Sequence, residues 1–599
     1  MPITRTGILT AFAIFGMLSA IAAEKPKAKP PVDDSAGAPT TASTVLMDTL
    51  QAELARGHAE LAKADPAPYY MSYTVNDKES LTIAGAQGTI LNTGRSHIRQ
   101  ADVSIRIGTP ELDNTHTSSD NGNNRASALS SDVLPLDDDH DAIARVLWRL
   151  TEREYRNASR AYANVKTSKT VRAKEEDESN DFSKEQSNRD DAPEKAPLTF
   201  EQKKWEERIR KLSAVFRAYQ DVERSIVVLE VEDGNRYFVS TEGANIISGG
   251  HNARLMALAI SRAEDGMDLL RVETFSADTP DKFPADDEII AKIKKMCDDL
   301  TALKKAPIAE PFSGPSLLSG RAAAVFFHEV LGHRLEGQRQ RGDEEGQTFT
   351  KRVNQEVLPT FLSVVDDPTR TEVNGVTLSG SYKFDDEGVP SRPVQVIKDG
   401  VLKEFLMSRM PIKNFGQSNG HGRNQPGLMA VGRQGNLIVT STKSIPENEL
   451  QARFLDDIKK SGKPYGLYFD DIQGGFTLTQ RGSPQAFQVL PIMVYKVYAD
   501  GRPKELVRGV DIVGTPLTAL TRIEITGDTQ QVFNGICGAE SGSVPVSAAA
   551  PAMLFGEIEV QRKQQSHDRP PILLPPAFDN YPPGKESTTS DKKSSGGGQ

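Results

Sequence analysis

The stretch at residues 323–337, AAVFFHEVLGHRLEG, constrains the fold of this chain more than any other feature. His328, Glu329 and His333 form an H-E-x-x-x-H pattern. It is one residue longer than the H-E-x-x-H motif, whose histidines share one helical face and bind zinc. Residues five apart on a regular helix point about 140° away from each other. The two histidines can therefore meet only if the helix ends or tightens before His333, and Gly332 is the residue best able to leave helical geometry.

The two phenylalanines before the motif predict that this helix lines a core. An unpaired Glu329 would be costly to bury there, and a bound metal cation would remove that cost. The alternative is a buried helix whose two histidines are satisfied by hydrogen bonds. Because a catalytic zinc typically has three protein ligands, a third donor is required, and another histidine, a carboxylate or a cysteine could supply it.

The chain has two cysteines, which allow two interpretations. Cys537 lies between Gly535 and Gly538, and this spacing predicts a tight turn that approaches a site closely. Cys297 lies in the helical pattern AKIKKMCDDL, which indicates a structural role. The alternative is a Cys297–Cys537 disulfide, which an exported protein could form.

Composition and the N-terminal residues narrow the class of protein. With 599 residues, 37% of them hydrophobic and 26% charged, two or three domains are expected. The net charge of −10 provides no basic footprint for nucleic acid. Residues 1–23 are typical of a signal peptide, which predicts an exported protein, periplasmic or secreted. Their apolar core, residues 8–18, is shorter than the ~20 residues of a membrane-spanning helix, so stable membrane insertion is not expected.

Patterns along the chain predict an α+β fold. A mixed α/β N-terminal region, which includes a helix pair over 252–304, precedes a large β-rich domain that begins with the histidine-bearing helix. A charge-dense insertion in the N-terminal region is predicted to be solvated. The predicted segments are a signal peptide at 1–23, a disordered linker at 24–44, an α+β domain at 45–300 with its insertion at 167–197, a β-rich domain at 305–565 and a disordered tail at 566–599.

Several motifs in the second half resemble those of the TldD/PmbA family of metallopeptidases. The segments HEVLGHRLEG, FDDEGVPSRPVQVIKDGVL, SNGHGR, GGFTLT and CGAESGSVPV recur there in this order. The resemblance covers about 305–565, is weaker over 45–300, and leaves out the leader, the insertion and the tail. It implies a zinc-dependent peptidase in which His328 and His333 are zinc ligands, Glu329 is the catalytic carboxylate and Cys537 is the third ligand.

The same resemblance implies a partner and a substrate class. A homodimer, or a heterodimer with a PmbA-like paralogue, would enclose a site reached by unfolded or extended polypeptides. The alternative function is that of a non-catalytic binding or assembly partner with the same fold. Intact His328, Glu329, His333 and Cys537 favour the enzyme.

The local sequence suggests possible roles for four further residues. Glu336, three residues after His333, is predicted either to support that ligand from behind or to be a surface charge. His421 and Arg423, in a glycine-rich loop, are predicted substrate contacts, with a polar loop tip as the alternative. Ser418 lies in a G-x-S-x-G pattern, but the sequence that follows does not favour the helix that a serine nucleophile needs.

Overall fold

The computed structural model describes residues 44–116, 128–171, 177–190, 198–341, 348–477, 479 and 486–563. The predicted signal peptide, the predicted tail and all but the last residue of the predicted linker lie outside these ranges. Among the described helices, none is both long enough and apolar enough to cross a membrane.

The N-terminal region is built on one eight-stranded sheet in the order β3-β2-β1-β6-β7-β5, with β4 paired to β2 and β8 paired to β7. Three long antiparallel pairs, β1–β2, β1–β6 and β6–β7, form its centre. Its strands are β1 (Pro68–Ala86), β2 (Thr89–Thr109), β3 (Leu112–Asp113), β4 (Ser130–Val133), β5 (Arg189–Asp190), β6 (Arg224–Ser240), β7 (Asn245–Arg262) and β8 (Asp268–Ala277).

Four helices cover one face of this sheet. Alternate residues of β1 point to that face because side chains alternate along a strand. Tyr73 and Val75 join the core of the first two helices, whereas Leu81 and Ile83 join the core of the other two. The helices are α1 (Thr44–Leu61), α2 (His140–Val171), α3 (Gln202–Ala214) and α4 (Asp286–Lys305).

The C-terminal region is built on a twelve-stranded sheet in the order β14-β13-β10-β17-β24-β22-β20-β19-β9. β9 pairs with β24 as well as β19, so five of these strands close into a ring. The strands are β9 (Phe312–Leu318), β10 (Leu362–Asp366), β13 (Val394–Lys398), β14 (Val401–Leu402), β17 (Asn436–Ser441), β18 (Ser444–Ile445), β19 (Tyr465–Thr477), β20 (Phe487–Tyr498), β21 (Glu505–Val507), β22 (Val510–Gly514), β23 (Ile523–Ala539) and β24 (Gly542–Arg562).

Two small hairpins and three helices complete this region. The hairpins are β11 (Glu372–Val373) with β12 (Val376–Thr377) and β15 (Gly422–Arg423) with β16 (Val431–Gly432); the helices are α5 (Gly320–Val330), α6 (Glu447–Ser461) and α7 (Pro516–Leu520). The α+β fold with a β-rich second half is thus confirmed, and the helix predicted at the start of that half follows its first strand, β9.

Helix α5 is the histidine-bearing helix, and the core holds it firmly. Ser319 caps its N-terminus by accepting a hydrogen bond from the backbone N–H of Ala322 at 3.1 Å. Phe326 packs edge-on against Phe487 of β20 and Phe555 of β24, with ring centroids 5.6 and 5.4 Å away. The predicted core position of the two phenylalanines is confirmed, since both are fully buried.

The prediction of a helix pair over 252–304 is correct for the second helix and wrong for the first. The second half of this range is α4, but the first half contains most of β7 and all of β8. Ala253, Leu255, Ala257 and Ala259 alternate inward along β7 and join the core under α3 and α4. Ala, Leu and Met favour helices in isolation, but the pairing of β7 with both β6 and β8 outweighs that weak preference.

The interpretation of 167–197 as a solvated insertion is wrong for its described middle, the 177–190 segment. Asp181, Phe182 and Ser183 are buried, and Arg189 and Asp190 form β5. The Phe182 ring lies between two guanidinium groups, each 3.8 Å from its centroid: Arg106 from the N-terminal sheet and Arg409 from the C-terminal region. The segment therefore connects the two regions.

Phe182→Ala should destabilise the protein, because it leaves a cavity and removes the surface on which two cations stack. We expect the free energy of unfolding to fall by about 3–5 kcal/mol. Denaturant unfolding measures this change. Leu91→Ala is the control, because Leu91 is 60% exposed and its loss should change the free energy by less than about 0.5 kcal/mol. Equal effects of the two substitutions would show that the 177–190 segment does not connect the regions.

Candidate metal centre

The helix that carries the first histidine ends just before the second, as the spacing requires. Helix α5 ends at Val330, and residues Gly332–Leu335 form a tighter 3₁₀ helix that contains His333. A Cβ atom at Gly332 would lie 1.9 Å from the side-chain oxygen of Gln434, so a larger residue would have to displace that buried side chain. The predicted break at Gly332 is confirmed, and glycine leaves room there for the Gln434 side chain.

This break brings His328, His333 and Cys537 together. Their possible ligand atoms all lie within 4.8 Å of one another, and all three residues are buried. Nε2 of His333 is 3.5 Å from Sγ of Cys537, and the two imidazole centroids are 5.1 Å apart. Ligand atoms around a tetrahedral zinc lie about 3.3–3.6 Å apart, as zinc bond lengths of about 2.0–2.3 Å require.

The donor set also fits a metal chemically. Two imidazoles and one thiolate are ligands that zinc accepts readily. Nδ1 of His328 is buried without a hydrogen-bond partner among the described residues, so this histidine is not the satisfied core residue of the alternative interpretation. The residues of the cluster therefore fit a bound metal ion.

Cys537 reaches the cluster from a strand rather than from the predicted tight turn. It lies in β23 opposite Val544 of β24, and the turn of this hairpin comes later, between Ala539 and Gly542. Both cysteines are free, and Cys297 is buried on α4. The structure thus contains no Cys297–Cys537 disulfide.

Glu336 lies directly behind His333. Nδ1 of His333 is 3.1 Å from Oε1 of Glu336, which is completely buried. Because a carboxylate accepts hydrogen bonds, Nδ1 carries the hydrogen and Nε2 is left facing Cys537. The other oxygen, Oε2, accepts a hydrogen bond from Arg339 at 2.7 Å. Of the two interpretations of Glu336, a surface charge is excluded by its burial.

Charge attraction within the cluster shifts the pKa values of its members. Burial raises the pKa of the Cys537 thiol, but attraction to His333 and His328 outweighs burial and holds it well below its usual value. Burial lowers the pKa of His333, but attraction to Cys537 and Glu336 outweighs burial and holds this pKa well above its usual value. Burial raises the pKa of Glu336, yet attraction to His333 and Arg339 brings it down to about 2. The thiolate, which is the metal-binding form of cysteine, is favoured.

Glu329 lies at the edge of this cluster. Its Oε2 is 4.0 Å from Nε2 of His333, and its side chain is mostly buried. A Cβ at Gly475 of β19 would lie 3.0 Å from the Glu329 side chain, so the strand backbone passes close to the carboxylate. The carboxylate therefore lies next to the possible metal ligands without being one of them.

The residues predicted to contact substrate are used inside the protein. His421 is completely buried, with Nε2 3.2 Å from Asp366 and Nδ1 3.1 Å from the side chain of Asn419. Arg423 donates from Nη1 to the carbonyl oxygens of Gln434 and Pro545, at 2.8 and 2.7 Å. Both side chains thus have internal partners in this structure, and their contact with substrate stays a prediction.

Ser418 is not placed as a nucleophile. Its hydroxyl donates to the carbonyl oxygen of Met407 at 3.1 Å. The residues that follow form the short strand β15 rather than a helix, so the strand–turn–helix geometry of serine hydrolases is missing from this part of the described chain.

Three residues from other chain segments lie close to the cluster and were not predicted from the sequence. They are Arg433 and Gln434, which precede β17, and Gly475, which lies in the GGFTLT motif. The glycines on both sides of Arg433-Gln434 indicate close packing, but the partners are about a hundred residues away in the chain. Nothing in the local sequence identifies them.

A histidine pair at a helix end and a cysteine from a strand, on an α+β scaffold, form a cluster of nitrogen and sulfur atoms that could hold a metal ion. Residues 313–562 match the family model of the PmbA/TldA metallopeptidase C-terminal domain. This region of the chain carries the relationship to the TldD/PmbA family.

Individual relatives agree with this assignment. A protein of Haemophilus influenzae named metalloprotease TldD homolog is 30% identical over 250 residues, which are 41% of this chain and 48% of that protein. A zinc metalloprotease TldD homolog of Saccharolobus solfataricus is 26% identical over 331 residues, 54% of this chain and 68% of that protein. The chain thus spans about half the length of the first of these relatives.

Solved structures share the fold. TldE from Thermococcus kodakarensis superposes with a TM-score of 0.54 at 11% identity, over 86% of this chain and 100% of that one. A Thermotoga maritima protein superposes with a TM-score of 0.54 at 14% identity, over 85% of this chain and 99% of that one. At such low identity, these structures show a shared architecture.

Proposed function

We propose that this protein is a zinc-dependent peptidase that hydrolyses unfolded or extended polypeptides. The observation that carries the proposal is the cluster of His328, His333 and Cys537 beside Glu329. The names of the relatives as metalloproteases support the same reaction class. His328, His333 and Cys537 would hold the metal through two nitrogens and one sulfur, which leaves a fourth position open, as in catalytic zinc sites.

Each residue of the site has a defined task in this proposal. When bound, zinc supplies the Lewis acidity that allows water to attack a peptide carbonyl near neutral pH. Glu329 accepts a proton from the attacking water and delivers it to the leaving amine, as a general base and then a general acid. Glu336 orients His333 by accepting the hydrogen of Nδ1.

A chelator experiment tests the reaction class. The purified protein is incubated with an unfolded polypeptide, with a chelator and, separately, with a serine-directed reagent. A zinc peptidase loses activity to the chelator, regains it when zinc is added back, and resists the serine reagent. If the parent protein binds zinc but cleaves no polypeptide, the alternative of a non-catalytic binding or assembly partner is favoured.

We also propose an exported protein that acts as a homodimer or with a PmbA-like paralogue. Residues 1–23 support export, and the shared fold with TldE supports pairing of like-folded chains. Cell fractionation with N-terminal sequencing tests the first proposal. Determination of the molecular mass in solution, alone and with a paralogue, tests the second.

A further inference from the structure

A fully buried arginine, Arg433, lies between the two chain segments that bring His333 and Cys537 together. Its Nη2 donates to the carbonyl oxygen of Cys537 at 2.8 Å. Its Nη1 donates to Oγ of Ser541 at 2.8 Å and to the carbonyl oxygen of Gly542 at 3.0 Å. The guanidinium therefore contacts both strands at the end of the β23–β24 hairpin and fixes the backbone of Cys537 itself.

The opposite side of the same guanidinium faces Glu336. Nε of Arg433 is 3.5 Å from Oε1 of Glu336, the same oxygen that lies 3.1 Å from Nδ1 of His333. Arg433 and Glu336 are both completely buried, and the charge of each lowers the cost of burying the other, although Glu336 also accepts a hydrogen bond from Arg339. A continuous set of polar contacts thus runs from His333 through Glu336 and Arg433 to the backbone of Cys537.

We propose that Arg433 is the positioning residue of the metal centre: it sets the distance between the imidazole of His333 and the thiolate of Cys537. The two ligands are 204 positions apart in the chain, and their segments come from a helix end and a strand. This inference rests on the proposed zinc site. It adds a residue that contacts neither metal nor substrate and acts through the two ligands.

Arginine is suited to this role and lysine is not. The guanidinium is planar and presents its donors in a fixed fork, so one group can hold a carboxylate on one edge and carbonyl oxygens on another. A lysine ammonium at the same position is a point charge that reaches one side at a time. Arg433→Lys therefore keeps the charge and breaks the geometric link.

The test compares the zinc affinity of the parent protein and Arg433→Lys by competition with a chromophoric chelator. We expect affinity to fall about 10–100-fold, the effect typical of residues that orient metal ligands. Loaded with Co²⁺, the variant should also show a weaker thiolate-to-cobalt charge-transfer absorption than the parent. A change of affinity below about twofold in the folded variant, with an unchanged cobalt spectrum, would overturn the proposal.

The matched control is Arg508→Lys. Arg508 is also a buried arginine, and it donates to the carbonyl oxygen of Ala306 at 2.9 Å and to Asp265 at 2.9 Å. None of these partners belongs to the metal centre. The control should lower thermal stability but leave zinc affinity and the cobalt spectrum unchanged. If both substitutions weaken zinc binding equally, general destabilisation explains the result and the proposal fails.

A second variant keeps the test decisive if Arg433→Lys does not fold. Ser541→Ala removes only one acceptor of the guanidinium, and it should weaken zinc binding in the same direction by a smaller factor. Zinc affinity equal to that of the parent in this variant would then overturn the proposal. Failure of the proposed zinc site is distinguishable, because in that case the parent protein itself binds no zinc at the cluster.

Discussion

Replacing Glu329 with glutamine is expected to lower kcat/KM for an unfolded polypeptide by about 10²–10⁴-fold, the range that general acid–base catalysis contributes. Glutamine has nearly the same shape but cannot accept the proton of the attacking water. Glu329 lies beside the cluster and is not one of its three ligand residues, so zinc content should stay at the parent level. Steady-state kinetics and elemental analysis on the same preparation measure both quantities.

Glu524→Gln is the control for this prediction. Glu524 lies on β23, the strand of Cys537, and its side chain is 41% exposed. The substitution makes the same chemical change without touching the cluster. We expect kcat/KM to stay within about twofold of the parent, because exposed substitutions away from a site are nearly neutral. Near-parental hydrolysis by Glu329→Gln would assign the proton transfer to another group.

Removing a ligand is expected to have the largest effect on metal binding. Cys537→Ser replaces a soft, charged thiolate with a neutral hydroxyl, and His333→Ala removes an imidazole altogether. Each variant should bind zinc more than roughly 100-fold more weakly than the parent, a larger loss than orienting residues cause. Competition with a chelator measures the affinity, and hydrolysis should fall with the bound metal.

Cys297→Ser is the matched control for the cysteine variant. Cys297 is also buried and free, but it belongs to the core under α4, and burial raises its thiol pKa to about 12. Its substitution should lower stability and leave one zinc bound with parental affinity. Zinc loss in Cys297→Ser, or full zinc binding in Cys537→Ser, would refute the ligand assignment.

The local geometry of the site could be predicted from the sequence because it follows from helical periodicity. Two histidines five apart cannot share a face of a regular helix, so a break was required, and Gly332 marked its position. The close approach of the Gln434 side chain to Gly332 was not predictable, since it involves a residue about a hundred positions further on.

Contacts between residues far apart in the chain also explain the remaining differences between expectation and structure. Phe182 lies in a charge-dense segment, yet two arginines from separate regions stack on its ring and bury it. Residues 245–262 contain many good helix formers, yet pairing with β6 and β8 makes them a strand. Arg433 looks like an ordinary arginine in a glycine-rich stretch, and only the fold places it against Glu336 and Cys537. Contacts over long chain separations decide each of these positions.

X-ray absorption spectroscopy at the zinc edge tests most directly whether His328, His333 and Cys537 hold a zinc ion. The purified full chain is measured as prepared and again after loading with zinc, with zinc content determined on the same samples. One sulfur at about 2.3 Å and two imidazole nitrogens at about 2.0–2.1 Å, with about one zinc per chain, is the predicted result. A zinc shell that contains only nitrogen and oxygen, or a protein without zinc after loading, would contradict it.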